Sequence, residues 1–334
     1  MGIPWRGAQE AEMRLQSFLP NLTQYGSGKA NDPTLQTNSF LSPYLHYGQV
    51  SSLEVALRCR SHAAASGVAP EKAKGLSTGI SAFLDELIIR RELAKNFVYY
   101  CCRYDSFECL PRWASETLTE SQANPRPKLY TLEQLERGET ADLYWNLAQW
   151  EMVATGHMHN YMRMYWCKQL ITWTESPASA YNWAVHLNDK FSLDGRDENG
   201  YMGIAWCFGM HDKPFPRRDI FGSVRSMTRS GLEGKFKMAQ YRLLVQRKCL
   251  QAARAEPRLR AILPAEAIEG GKRGGSLLAF LAAPGAAQAP DQSKTLSAEG
   301  EGEVPEGQRT QKRQRSSEPA GANAKTLHRF FPTR

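Results

Sequence analysis

Between Trp145 and Asp197 the chain places five tryptophans, the widely spaced Trp145, Trp166 and Trp173 among them, with an arginine and a carboxylate-rich turn in close succession. Trp166 and Trp173 are seven residues apart in a helical pattern, which stacks them on one face two turns apart. Trp145 falls in the preceding helical segment and can pack alongside them. Indoles in file can relay an electron, although spaced aromatics are also the ordinary content of a helical core. Arg163 shares the segment of Trp166, and a buried guanidinium needs a carboxylate because an unpaired interior charge is costly. Asp194, in the turn Leu193-Asp194-Gly195-Arg196-Asp197, is the candidate partner; a solvated ion pair of little consequence is the plainer reading. His46, His157 and His159 do not read as metal ligands: His157 and His159 are two apart on a helix, and there is no HExxH pattern.

Other polar residues carry both a plain and a chemical reading. Glu86 is a solvated glutamate of an amphipathic helix or an acid at a site. Asn188 is a helix terminator or an amide able both to donate and to accept. The string Asn38-Ser39-Phe40-Leu41-Ser42-Pro43 is a turn and helix start. Such a turn can also cradle a phosphate with backbone amides and hydroxyls.

The elements that must position these groups are helices. Apolar residues recur at three-to-four spacing over Glu10–Leu19, Ser51–Ser61, Leu76–Val98, Ala141–Thr155, His157–Trp173, Pro177–Leu187 and Gly234–Ala255. Ser51-Ser52-Leu53-Glu54 and Ser176-Pro177 are helix-start signals, and strand-like alternation is scarce. The fold class is mostly α. After Pro257 the composition shifts to Gly, Ala, Pro, Ser, Glu and Lys, which cannot bury enough area to offset chain entropy. The domain reading is one helical domain over 1–255 and a disordered basic tail over 256–334, with disorder clearest from 265 onward.

The 334 residues contain 42 Lys and Arg against 34 Asp and Glu, a net charge of +8, which favours a polyanionic partner. Seven cysteines without a C-x-x-C pair argue against a disulfide framework or zinc site. No N-terminal apolar run of signal-peptide type and no membrane-spanning stretch are visible, so a soluble intracellular protein without a membrane partner or metal is expected.

Five strings together carry a resemblance: FLSPYLHYG from Phe40, FLDELIIRREL from Phe83, YWNLAQWEMVATGHMHNYMRMYWCKQLITW from Tyr144, HLNDKFSLDGRD from His186 and GIAW ending at Trp206. The chain resembles the FAD-binding catalytic domain of class II cyclobutane pyrimidine dimer photolyases, in the photolyase and cryptochrome superfamily. The resemblance implies an all-helical FAD-binding fold and light-driven repair, with double-stranded DNA containing pyrimidine dimers as partner. It implies Trp166 nearest the flavin, Trp145 in the middle and Trp173 outermost in an electron path. Arg163 then lies against the isoalloxazine ring with Asp194 as counter-ion, Asn188 faces the flavin N5, and Asn160 is a further cofactor contact. Tyr25, Asn38, Ser39, Phe40, Leu41 and Ser42 resemble the phosphate-holding part. Glu86 resembles the carboxylate that contacts the dimer, with Leu87, Met164, Trp206, Tyr130 and Arg225 on the substrate side.

Two departures touch this pattern. Ala30 stands where a basic residue is usual, with Lys29 shifted one place, and Asn160 stands where class II members often have Gly. The family's N-terminal antenna domain has no counterpart, so a catalytic half alone is expected. A cryptochrome-like photosensor and a flavin-free remnant are the competing readings. A monomer residing in the nucleus is expected, with an organelle or the cytoplasm as alternatives. In the tail, Leu327, Phe330 and Phe331 follow the basic run Lys312-Arg313-Gln314-Arg315 and resemble a sliding-clamp-binding box, with Ala324 in place of the usual Gln; a frayed terminus is the plainer reading.

Overall fold

The apolar spacing is realised as a succession of helices in the structure, a computed structural model that describes residues 6–65 and 70–269. The chain opens with α1 (Gly7–Phe18), α2 (Leu22–Tyr25), α3 (Ser42–His46), α4 (Ser52–Ala65) and α5 (Pro70–Leu84). A π-helical turn, Asp85–Arg90, runs from α5 into α6 (Arg91–Tyr100). There follow α7 (Arg112–Glu120), α8 (Leu132–Arg137), α9 (Leu143–Thr155), α10 (Asn160–Trp173) and α11 (Pro177–Phe191). The last are α12 (Glu198–Cys207), α13 (Arg229–Lys235), α14 (Met238–Ala255) and α15 (Ala265–Glu269). Among the described residues there is no strand, only an isolated bridge between Arg218 and Gly222. Leu327, Phe330, Phe331 and the run 312–315, expected as a clamp-binding terminus, fall outside the described residues.

Sequence and structure part company in several places: His157 and His159 precede α10 instead of lying on it, and the expected helix Gly234–Ala255 is broken between α13 and α14. The segment Leu76–Val98, expected as one helix, is interrupted by the π turn. Helices α7, α8 and α12 are short, and their ends are set by local polar groups more than by apolar period. α8 carries a Thr131–Gln134 capping box and ends on left-handed Gly138, while the Asp197 side chain caps α12. The expected boundary at 255 also moves. A 3-10 turn at Pro257–Ala261 and α15 continue the packing, and Leu259, Leu263 and Ala267 are buried. Their spacing of four was masked by the surrounding Arg, Pro and Glu.

Buried side chains fall into two clusters. A smaller one gathers Leu15, Phe18, Leu22, Val55, Ile80, Phe83 and Leu87 from the N-terminal helices. A larger one, from Ala94 onward, is built around α9, α10, α11, α12 and α14. In the smaller cluster α2 crosses α5 at glycines: a Cβ on Gly79 would stand 1.7 Å from the Leu22 carbonyl oxygen, and one on Gly26 2.7 Å from the Gly79 nitrogen. In the larger cluster α9 is joined to α14 by a buried ion pair. The Glu151 carboxylate accepts from Lys248 Nζ at 2.6 Å and from the Tyr241 hydroxyl at 2.8 Å. Burial acts to raise the Glu151 carboxyl, but the Lys248 and His157 charges and the two hydrogen bonds outweigh it and hold it below the usual carboxylate range.

These arrangements give two expected outcomes. Gly79→Ala, which in an open helix would add about 1 kcal/mol of helix propensity, should instead destabilise by about 2 kcal/mol or more, read by urea unfolding. Acid should weaken the fold through His157, which burial pushes down to about 3. A base whose folded value lies below the unfolded value of about 6.5 contributes stability that is present above 6.5 and lost as pH falls toward 3. His157→Gln should therefore flatten the decline in urea midpoint between pH 7 and pH 5; an unchanged slope would show that the imidazole stays out of the titration.

Candidate functional site

The tryptophan file is set by reciprocal hydrogen bonds between α9 and α10. Trp145 Nε1 donates to the Trp166 carbonyl at 2.9 Å, and Trp166 Nε1 donates to Gln149 Oε1 at 3.0 Å. Trp145 and Trp166 lie nearly parallel, 9° apart in plane and 6.0 Å between centroids. Trp173 meets Trp145 edge to face at 5.5 Å. All three are buried, so Trp145 is the physical link between the other two.

One turn before Trp166, Arg163 leaves α10 toward α11. Its Nη1 donates to Asn188 Oδ1 at 3.1 Å and its Nη2 stands 3.6 Å from Asp194 Oδ1. Asn188, at the end of α11, is buried and lies so close to α12 that a Cβ on Gly200 would be 3.0 Å from its Nδ2. The Asp189 carboxylate closes the turn: it accepts from Asn188 Nδ2, from the Arg196 backbone and from the Tyr201 hydroxyl. Arg163, Asn188 and Asp194, named separately from the sequence, thus form one polar cluster.

A second group of candidates lies just before α3. Phe40 takes a φ of +54°, costly for a bulky residue, and its ring lies 5.0 Å from the His157 ring. Ser39 Oγ accepts from the Leu41 backbone at 3.4 Å, while Leu41 itself is buried in the smaller core. Thr37 Oγ1 is buried with no hydrogen-bond partner. A buried hydroxyl without a partner in a strained turn fits a group that brings its own phosphate oxygens, so the residues present suit FAD.

The Tyr25 hydroxyl donates to Glu86 Oε2. The phenol is wedged edge-on against Phe18 and Phe83, and burial together with the Glu86 charge keeps it protonated above the usual tyrosine range. Glu86 is exposed on the π turn, and Arg90, four residues on, lies 5.2 Å over the Trp206 ring. Glu86, Arg90 and Trp206 are thereby linked through one turn, and Met164 is partly buried on α10.

Four expected site residues lie elsewhere. Tyr130 packs edge-on against Trp173 at 5.3 Å, and its oxygen accepts from the Ala141 backbone, so it belongs to the outer end of the indole file. Leu87 is buried in the smaller core. Asn160 is exposed at the first turn of α10. Arg225 lies 5.9 Å over Phe215, on a cavity whose lining does not include Glu86, Met164 or Trp206.

Several cross-links leave no trace in the sequence. His46 Nδ1 is 2.9 Å from Asp197 Oδ2, joining α3 to the cap of α12, and Lys95 Nζ is 3.4 Å from Glu198, joining α6 to α12. His157, set aside as a metal ligand, is instead the ring on which Phe40 rests. Partners so distant in the chain leave no periodic signal. Among the described residues no cluster of His, Cys, Asp and Glu could hold a metal ion, and no helix is long and apolar enough to cross a membrane.

No family model matches the chain. It is 50% identical over 211 residues to the deoxyribodipyrimidine photo-lyase of Methanothermobacter thermautotrophicus, covering 63% of this chain and 44% of that protein. It is 40% identical over 228 residues to that of Potorous tridactylus, covering 68% and 41%. To that of Arabidopsis thaliana it is 41% identical over 221 residues, covering 66% and 42%. The chain spans less than half the length of these curated relatives. Such identity, over about two thirds of the chain, places that stretch in the photolyase family.

Proposed function

We propose that the chain is the catalytic part of a class II photolyase, binding FAD and using light to split cyclobutane pyrimidine dimers in DNA. The observation that carries this reading is the unbroken indole file ending on the helix that bears Arg163, beside Asn188 and Asp194, in a chain similar to named photo-lyases. When bound and reduced, FAD supplies the light absorption and the electron that ring cleavage requires.

The chain's own residues act around that centre. Arg163, Asn188 and Asp194 would hold the flavin ring, and Thr37, Ser39 and Ser42 the phosphates. The Trp166, Trp145 and Trp173 indoles offer a buried route for an electron from the surface. Glu86, oriented by Tyr25, offers a carboxyl where negative charge develops on the dimer. Met164 and Trp206 supply apolar walls for an extruded lesion, and a base pair already poorly stacked costs less to open. The net charge of +8 supports phosphate contacts on a DNA partner. A monomeric state, nuclear residence supported by the 312–315 basic run, and a clamp-binding terminus are part of the same proposal.

The test is the visible absorption of the purified protein followed by blue-light repair of an oligonucleotide carrying one dimer. Absence of a bound-flavin spectrum, or of repair by flavin-loaded protein, would overturn the reading. Trp145→Phe should block light-driven reduction of the bound flavin while leaving repair by chemically reduced protein largely intact; joint loss would mark a packing defect. Glu86→Gln should retain flavin yet lower repair by roughly 10²- to 10³-fold, the scale of one lost charge-stabilising group. Equal losses of flavin and repair would make Glu86 structural.

A further inference from the structure

Between the loop that follows α12 and the first turns of α10 and α13 lies a cavity of about 320 Å³, at the lower end of the range for small-ligand sites. Val224 and Leu232, both buried, give it an apolar floor. Its aromatic walls are Tyr161 and Phe215, and each carries a cation: Lys235 Nζ stands 5.1 Å from the Tyr161 ring centre, and Arg225 5.9 Å from that of Phe215. Lys235 also donates to the Tyr161 hydroxyl at 2.9 Å, which fixes the direction of that ring. Arg218 adds a third cation, and no Asp or Glu lines the cavity.

An apolar floor, planar rings and a rim of cations without acids match one kind of ligand, a nucleotide: the base stacks on the rings and the phosphate meets the cations. Three exposed cations on one rim, with no carboxylate among the lining residues, give the mouth a positive field suited to an anion. The position supports the same ligand. Tyr161 and Met164 are three residues apart on α10, so the cavity adjoins the wall assigned to the extruded dimer while remaining distinct from it. Opening the duplex to extrude two linked pyrimidines leaves neighbouring and opposing nucleotides unpaired.

We infer that this cavity is a second nucleotide subsite, which seats one unpaired, undamaged nucleotide of the DNA while the lesion occupies the pocket beside Met164 and Trp206. The inference rests on the DNA-repair reading. The nucleotide can come from the strand opposite the lesion or from the lesion strand itself, and the two sources share the same chemistry.

The test uses the flavin-loaded full chain and duplexes carrying one thymine dimer, with 2-aminopurine placed either opposite the lesion or one nucleotide to its 3′ side. Stacking against Tyr161 and Phe215 should quench the reporter in one of the two duplexes, and the quenched placement identifies the strand. Ser226→Trp, which would fill the cavity, should abolish that quenching while flavin absorption is retained. The exposed pair Arg218→Gln and Lys235→Gln, which leaves the floor untouched, should reduce the slope of log K against log salt by about 2. Absence of quenching in both placements, quenching that survives Ser226→Trp, or an unchanged salt slope would each overturn the second subsite. Wild-type protein that fails to prefer damaged over undamaged duplex would sink the repair reading as well. Preference for damage with an unchanged reporter in the variants would remove only the subsite.

Discussion

The exchange of hydrogen bonds between the indoles of α9 and α10 is the constraint on which the site depends. Trp145 donates to the Trp166 backbone and Trp166 donates to the Gln149 side chain, so the two helices are fixed in both register and rotation. Because successive residues of a helix are rotated by a fixed angle, fixing Trp166 also fixes where Arg163 and Met164 point. Arg163 is thereby delivered to Asn188 and Asp194 without a long search of its own rotamers. An indole fully buried with its N–H satisfied can play this part because it combines large contact area with one directional bond.

The two hydrophobic clusters make the rest of the geometry intelligible. Each is apolar, but the cross-links named between them are polar or aromatic: His46 with Asp197, Phe40 with His157, Arg90 with Trp206. A seam of this kind is where a chain can leave space and polar atoms without breaking a core. The Thr37 hydroxyl without a partner and the left-handed Phe40 lie on that seam, where strain and unmet hydrogen bonding are tolerated because a ligand can satisfy them.

Much of this was legible in the sequence, and the illegible parts have physical reasons. The helical class, the Ser176 cap and the stacking of Trp166 and Trp173 on one face follow from local periodicity and capping chemistry, which operate within a turn or two. The pairing of Arg163 with Asp194 followed from the cost of an isolated buried charge. Leu259, Leu263 and Ala267 were hidden because their polar neighbours dominate the composition although spacing, not composition, decides burial. The hydroxyl of Tyr25 could not be assigned to Glu86 from the sequence: their 61-residue separation is closed by glycine contacts between α2 and α5 that no pattern announces.

The π turn at Asp85–Arg90 has a meaning for the chain as a mechanical part. Upstream, Leu76, Ile80, Phe83 and Leu87 face the smaller core; downstream, Ala94 and Phe97 face the larger one. A regular helix keeps one stripe in one direction, and the widened turn shifts the phase so that a single rod can serve two cores. Glu86 and Arg90 sit on the phase shift itself, so their aim is written in the length of the backbone more than in the packing around them. Substitutions along this rod are felt where they occur, whereas gaining or losing one residue would turn every side chain beyond it, swinging α6 out of the larger core and Arg90 away from Trp206.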